Sequence, residues 1–230
     1  MTKNVIITGA SGNLGKATVE KFASKGYSII AIISPGKTLG FDVSPSIETM
    51  EADLADEKST EALVRRVVAK YKTIDAALLL VGGFAMGNIL LTDRAALLKM
   101  YSLNFETSYF VARPVFSQMV NQSTGGKIVF IGARPALQPK DGKNMLAYGL
   151  SKSLIFKLSE YLNAEGAEKN VVSSVVVPST IDTSVNRKAM PNADFTSWIT
   201  PEAIAEVLEF IVSDRAVPLR DSVYKVYGNA

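Results

Sequence analysis

The chain has 230 residues and a formal net charge of +3, from 25 basic and 22 acidic side chains. So balanced a charge, with no long basic run, does not point to nucleic acid, and the apolar run 76–81 is far too short to span a bilayer. Cysteine and histidine are both absent, which removes disulfides, thiolate nucleophiles and the usual metal ligand and leaves Tyr, Lys, Asp or Glu for any proton transfer.

With 47% hydrophobic and 20% charged residues, one globular domain over 1–230 is expected, with no metal and no membrane partner. No signal peptide is visible before the first strand pattern, so a soluble cytoplasmic protein is expected.

In chain order, a short apolar run from Val5 breaks at Thr8-Gly9 into the turn Gly9-Ala10-Ser11-Gly12-Asn13-Leu14-Gly15. A helical stripe then runs from Leu14 to Lys25-Gly26. Residues 27–33 form a continuous apolar strand closed by Ser34-Pro35-Gly36, and 47–52 a shorter strand ending at Asp53-Leu54. The spacing of Leu63, Val64, Val67, Val68 and Tyr71 predicts a helix over 57–71. Residues 76–81 are a strand stopped by Gly82-Gly83. A helical region from 92 to about 120 is expected to break near Arg113-Pro114. A strand over 127–131, a helix over 144–166 and a strand over 171–177 ending at Pro178 follow. Residues 179–198 read as irregular. Pro201 opens a helix to about Val212, and 222–226 is the last strand.

Apolar strands alternating with helices predict an α/β fold: a Rossmann-like doubly wound parallel sheet of about seven strands. Such a sheet binds ligands at the carboxyl ends of its strands, where strand order reverses. The glycine turn, Asp53, Gly82-Gly83, the loop after Ile131 and Pro178 all fall there. Three glycines opening a helix let a phosphate approach backbone N–H groups at a helix N-terminus. Tyr148 and Lys152, four apart on the 144–166 helix, share a face, while Leu150, Leu154, Leu158 and Leu162 form an apolar stripe on another. An ammonium about 4 Å from the phenol would favour phenolate by up to ~4 kcal/mol at an effective dielectric near 20, which predicts a tyrosine pKa drawn toward neutrality.

These residues together resemble the short-chain dehydrogenase/reductase family over essentially the whole chain. The resemblance implies catalytic roles for Tyr148, Lys152 and Asn104. It implies dinucleotide contacts from Gly9, Ser11, Gly12, Asn13, Leu14 and Gly15, from Asp53, Leu54, Gly82 and Gly83, from Tyr148 and Lys152, and from Pro178, Ile181 and Thr183. It also implies a homo-oligomer, a dimer or a tetramer, packed through the 95–120 and 144–166 helices.

Three departures stand out. The glycine spacing is Gly-x-x-Gly-x-x-Gly, with Asn13 where the common pattern has glycine. Gly132-Ala133 stands where the family carries its catalytic serine. No acid follows strand two, where a carboxylate would select NAD; Ser34 and Lys37 there favour NADP(H) slightly over NAD(H).

The segments 81–88, 145–152 and 182–198 look like the dihydropteridine reductase branch, which shares the first two departures. That resemblance implies hydride transfer to a quinonoid dihydropterin or a similar conjugated acceptor. Tyr148 would be the proton donor, Lys152 would assist, and Phe84, Met86, Ala133 and Trp198 would line the substrate site, although Phe84, Met86 and Trp198 equally suit a core or a lid. A generic carbonyl or enone reductase, and a non-catalytic NADP-binding sensor, are the alternatives.

Overall fold

The computed structural model describes residues 2–41 and 44–228. Seven strands form one parallel sheet: β1 (Asn4–Thr8), β2 (Ser28–Ile33), β3 (Ile47–Glu51), β4 (Ala76–Leu79), β5 (Gly126–Ile131), β6 (Val171–Pro178) and β7 (Val223–Val226). Their order is β3-β2-β1-β4-β5-β6-β7, so the winding reverses between β1 and β4 and opens a crevice at their carboxyl ends.

Alternate residues of the central strands serve two cores. On one face Ile6, Ile30, Leu79 and Phe130 pack under α2 (Glu57–Tyr71), α4 (Thr107–Asn121) and α6 (Leu146–Gly166). On the other, Val5, Ile7, Ile29 and Leu78 meet α1 (Asn13–Ser24) and α8 (Pro201–Val212). Strands buried on both sides explain why these runs read as continuously apolar.

Local chemistry sets the helix starts. Asp56 accepts the N–H groups of Lys58 and Ser59 ahead of α2. Asp93 accepts that of Ala96 at the start of α3 (Arg94–Tyr101). Thr200 accepts that of Ala203, with Pro201 as the first helical residue.

Several details differ from the sequence expectations. The helical region after residue 92 does not break at Pro114, which lies inside α4. Proline removes one helical hydrogen bond, and here the fully buried Val111, Ala112 and Val115 hold the turn against the sheet. The irregularity falls earlier, in a π-helical turn over Ser102–Glu106 that contains the buried Asn104.

On α6 the leucine stripe divides: Leu150 and Leu154 are 52% and 38% exposed, whereas Leu162 is buried and Leu158 packs against the core. Ala147, Ser151, Lys152, Ile155, Ser159, Leu162 and Gly166 are the buried residues of this helix. The helix lies so close to β6 that a methyl on Gly166 would sit 2.8 Å from Val171 Cβ.

Before α6 the chain forms α5 (Arg134–Leu137), and between α6 and α8 it forms α7 (Ser184–Ala189) and a 3-10 turn (Phe195–Ser197) in the segment expected to be irregular. Among the described residues no helix is long and apolar enough to cross a membrane, and no group of three or more acidic side chains could hold a metal ion.

Candidate active site

The β1–α1 turn is shaped by its glycines. Gly9 takes φ +64°, and Gly12 caps α1 without any side-chain hydrogen bond. A methyl on Gly15 would overlap Gly9 O and lie 2.7 Å from Ala10 Cα, both backbone atoms that cannot yield. The N–H groups of the first helical turn have no intrahelical partner, and beside Ser11, Asn13 and Leu14 they face a surface free of capping side chains. That is a fit for an anionic phosphate group. The Ala10 N–H donates to Ile32 O at 3.1 Å, which fixes the cradle to the end of β2.

At the ends of β4 and β5 a second group of residues is drawn together. Gly82 lies between Asn104 and Lys152: a methyl there would be 2.8 Å from Asn104 Oδ1 and 3.0 Å from Lys152 Nζ. Asn104 Oδ1 accepts the Gly83 N–H at 2.8 Å, and its Nδ2 donates to Ser151 Oγ at 3.1 Å. Lys152 is 5% exposed and donates from Nζ to Ile131 O at 2.8 Å. Tyr148 stands one helical turn before it on α6, beneath the ring of Phe84.

Burial governs the proton affinities of the pair. It pushes the Tyr148 phenol up to about 12 and the Lys152 ammonium down to about 8. The sequence expectation of a tyrosine drawn toward neutrality is therefore corrected. It counted the attraction of the ammonium and left out the cost of placing a phenolate away from water, which is the larger effect here. At neutral pH the site holds a neutral phenol and a cationic lysine.

Asp53 is exposed and accepts the Ala55 N–H at 3.0 Å, whereas Leu54 belongs to the core. Ser34 and Lys37 are exposed in the turn after β2. Pro178 ends β6 buried, Ile181 bridges Ile199, and Thr183 caps α7 by accepting the Asn186 N–H at 3.1 Å.

Phe84 meets Tyr148 edge-on, with ring centroids 5.1 Å apart at 76°. Met86, two residues on in sequence, is 64% exposed. Trp198 packs instead on Phe195, at 4.9 Å, and Arg187 covers the other ring while pairing bidentately with Asp182 at 2.6 and 2.7 Å. Ala133 is buried at the serine position.

Sequence reasoning missed Ser151. Its hydroxyl donates to Tyr148 O at 2.9 Å while accepting from Asn104, and the signal was a serine set inside a helix between two candidate residues.

The family model for short chain dehydrogenase matches residues 3–194. The dihydropteridine reductase of Dictyostelium discoideum is 28% identical, across 98% of this chain and 94% of its own. A 3-oxoacyl-(acyl-carrier-protein) reductase of Aggregatibacter actinomycetemcomitans is 24% identical across 99% of each. The solved structure of ElxO with NADP bound has a TM-score of 0.90 at 21% identity, covering 99% of this chain and 98% of that one. With the cradle and the Tyr148–Lys152 pair on one crevice of a doubly wound sheet, these matches fix the assignment: the chain belongs to the short chain dehydrogenase family and is an NAD(P)-dependent oxidoreductase.

Proposed function

We propose that the whole chain works as one cytoplasmic NAD(P)H-dependent reductase domain that reduces a quinonoid dihydropterin or a similar conjugated acceptor. The observation that carries this reading is the exposed Phe84 ring set edge-on to the Tyr148 phenol, with the exposed Met86 two residues on. No hydroxyl stands at Ala133 to polarise a ketone. An electron-poor quinonoid ring has less need of such help, since hydride addition restores its conjugation. The 28% identity to a dihydropteridine reductase supports the same choice.

In this reading the glycine turn and Gly82-Gly83 hold the dinucleotide, with Asp53, Leu54, Pro178, Ile181 and Thr183 along its length. The bound nicotinamide supplies the hydride. Tyr148 donates its phenolic proton to the ring nitrogen, and the positive charge of Lys152 favours the phenolate left behind. A phenol raised to about 12 keeps its proton at neutral pH until the acceptor becomes basic. Asn104 braces the Gly83 backbone under the site. Ser34 and Lys37 give NADP(H) a slight advantage over NAD(H). Leu97, Leu98, Tyr101, Leu150 and Leu154, all exposed on α3 and α6, support a homodimer formed on that face.

The test is oxidation of NADH or NADPH in the presence of quinonoid dihydropterin, followed by nicotinamide absorbance. Turnover is expected with at least one cofactor, and a Tyr148→Phe variant should lose about 10²–10⁴-fold in kcat while binding cofactor normally. No turnover with either cofactor, together with reduction of simple enones, would replace this reading by that of a generic carbonyl reductase.

A further inference from the structure

The turn after β2 has no acid of its own, but the structure brings one from the next strand. Ser34-Pro35-Gly36-Lys37 closes as a tight turn: the Lys37 N–H donates to Ser34 O at 3.1 Å, and Gly36 takes φ +73°. That geometry points the Gly36 N–H at β3, where Glu51 Oε2 accepts it at 3.1 Å. The strand register pairs Glu51 with Ile33, the last residue of β2. Lys37 and Glu51 line one cavity of about 650 Å³, with Ile33, Thr38 and Thr49. A second cation, Lys16, reaches the same loop from α1, its Nζ 2.8 Å from where a methyl on Gly40 would lie.

We propose that Glu51 is a specificity-determining residue for the dinucleotide. Its carboxylate, held on the Gly36 amide from β3, stands in for the acid missing after β2. It keeps small the advantage that Ser34 and Lys37 give to a 2′-phosphate. The inference rests on the dinucleotide site and not on the identity of the acceptor.

Because Ala10 ties the phosphate cradle to Ile32, the 34–37 turn is the next backbone that a dinucleotide meets beyond its pyrophosphate. A carboxylate there can accept a ribose hydroxyl through Oε1 and repels a phosphate dianion. Lys37 acts in the opposite sense. Both groups are exposed, so their effect belongs to charge and is screened by salt.

The experiment measures Kd for NADH and NADPH on the full chain by nicotinamide fluorescence, with no acceptor present. Glu51→Gln keeps an oxygen for the Gly36 N–H and removes only the charge. The ratio Kd(NADH)/Kd(NADPH) is expected to rise about tenfold at low salt in this variant, and the gain should shrink at 1 M salt, where the Debye length is about 3 Å. Lys37→Gln should lower the ratio. Glu51→Ala, which also frees the turn, should raise the ratio even where both affinities fall.

An unchanged ratio in Glu51→Gln, or equal losses for both cofactors, would show that Glu51 only pins the turn and would overturn the proposal. If the wild-type chain bound neither cofactor, the dinucleotide site itself would fall and the proposal with it.

Discussion

Asn104 and Ser151 are joined by a buried hydrogen bond of 3.1 Å that links the π-helical turn to α6 between Tyr148 and Lys152. The Asn104 side chain is completely buried, and its carboxamide is committed at both ends: Oδ1 to Gly83, Nδ2 to Ser151 and to Met100 Sδ at 3.7 Å. Ser151→Ala would leave the Asn104 Nδ2 with a weak sulfur acceptor for one proton and none for the other. A destabilisation of about 1–3 kcal/mol is expected, because the unsatisfied buried donor loses its water and gains nothing. Urea unfolding at constant m-value measures it.

The opposite shifts of Tyr148 and Lys152 predict the pH dependence of reduction. The phenol keeps its proton up to about 12, so the acid is present throughout the working range. Lys152 loses its charge near 8. The kcat/KM for the acceptor should therefore be level below about pH 7 and fall as pH rises through about 8, and Lys152→Met should abolish the inflection along with most of the rate.

The same lysine links stability to pH. Burial lowers its pKa from 10.5 to about 8, so between those values the folded chain binds fewer protons than the unfolded one. Stability from this group then rises with pH across that window, since the penalty for a buried ammonium is relieved. Lys127, lowered to about 8 by burial as well, acts in the same direction. Comparing wild type with Lys152→Met, by denaturation at pH 7.5 and at about pH 10, isolates the contribution. A wild type that gained no stability relative to the variant would contradict the assignment.

The strands and most helices were legible because a doubly wound sheet imposes simple patterns on its chain. Residues 57–71 carry their own cap at Asp56 and their own stripe, and the helix observed has those bounds. The glycine turn was legible because backbone geometry demands it. What was hidden depends on contacts distant in sequence. Pro114 looked like a break, yet the packing of Val111 and Val115 carries the helix past it. Leu150, Leu154, Leu158 and Leu162 read as one apolar stripe, yet only the last two pack against the core while the first two are exposed. The direction of the Tyr148 shift needed its burial, which sequence spacing does not contain. Glu51 could be tied to Gly36 only once β3 was known to lie against β2.

The glycine turn offers a graded pair of substitutions. A methyl on Gly15 strikes backbone at Gly9 and Ala10, whereas one on Gly12 meets only Gly9 O, at 3.3 Å. Gly15→Ala should abolish dinucleotide binding and lower the thermal midpoint, because the turn must open to admit it. Gly12→Ala should leave the midpoint close to that of wild type. Fluorescence titration and thermal denaturation of the two variants, side by side, check the contrast.

Arg187 tests whether the 182–198 segment acts on the acceptor. Its guanidinium pairs bidentately with Asp182 and covers Phe195, whose other contact is Trp198. The pair is exposed, so its loss should leave the unfolding midpoint almost unchanged. Its consequence is local: α7 and the Phe195–Ser197 turn lose the contact that holds them together. Arg187→Ala should raise KM for the acceptor severalfold, with kcat little altered, because the Tyr148–Lys152 pair lies on another element. Arg187→Lys, which keeps the charge without the planar fork, should recover only part of the loss. Steady-state kinetics on the three proteins decide it, and an unchanged KM would remove the 182–198 segment from the acceptor site.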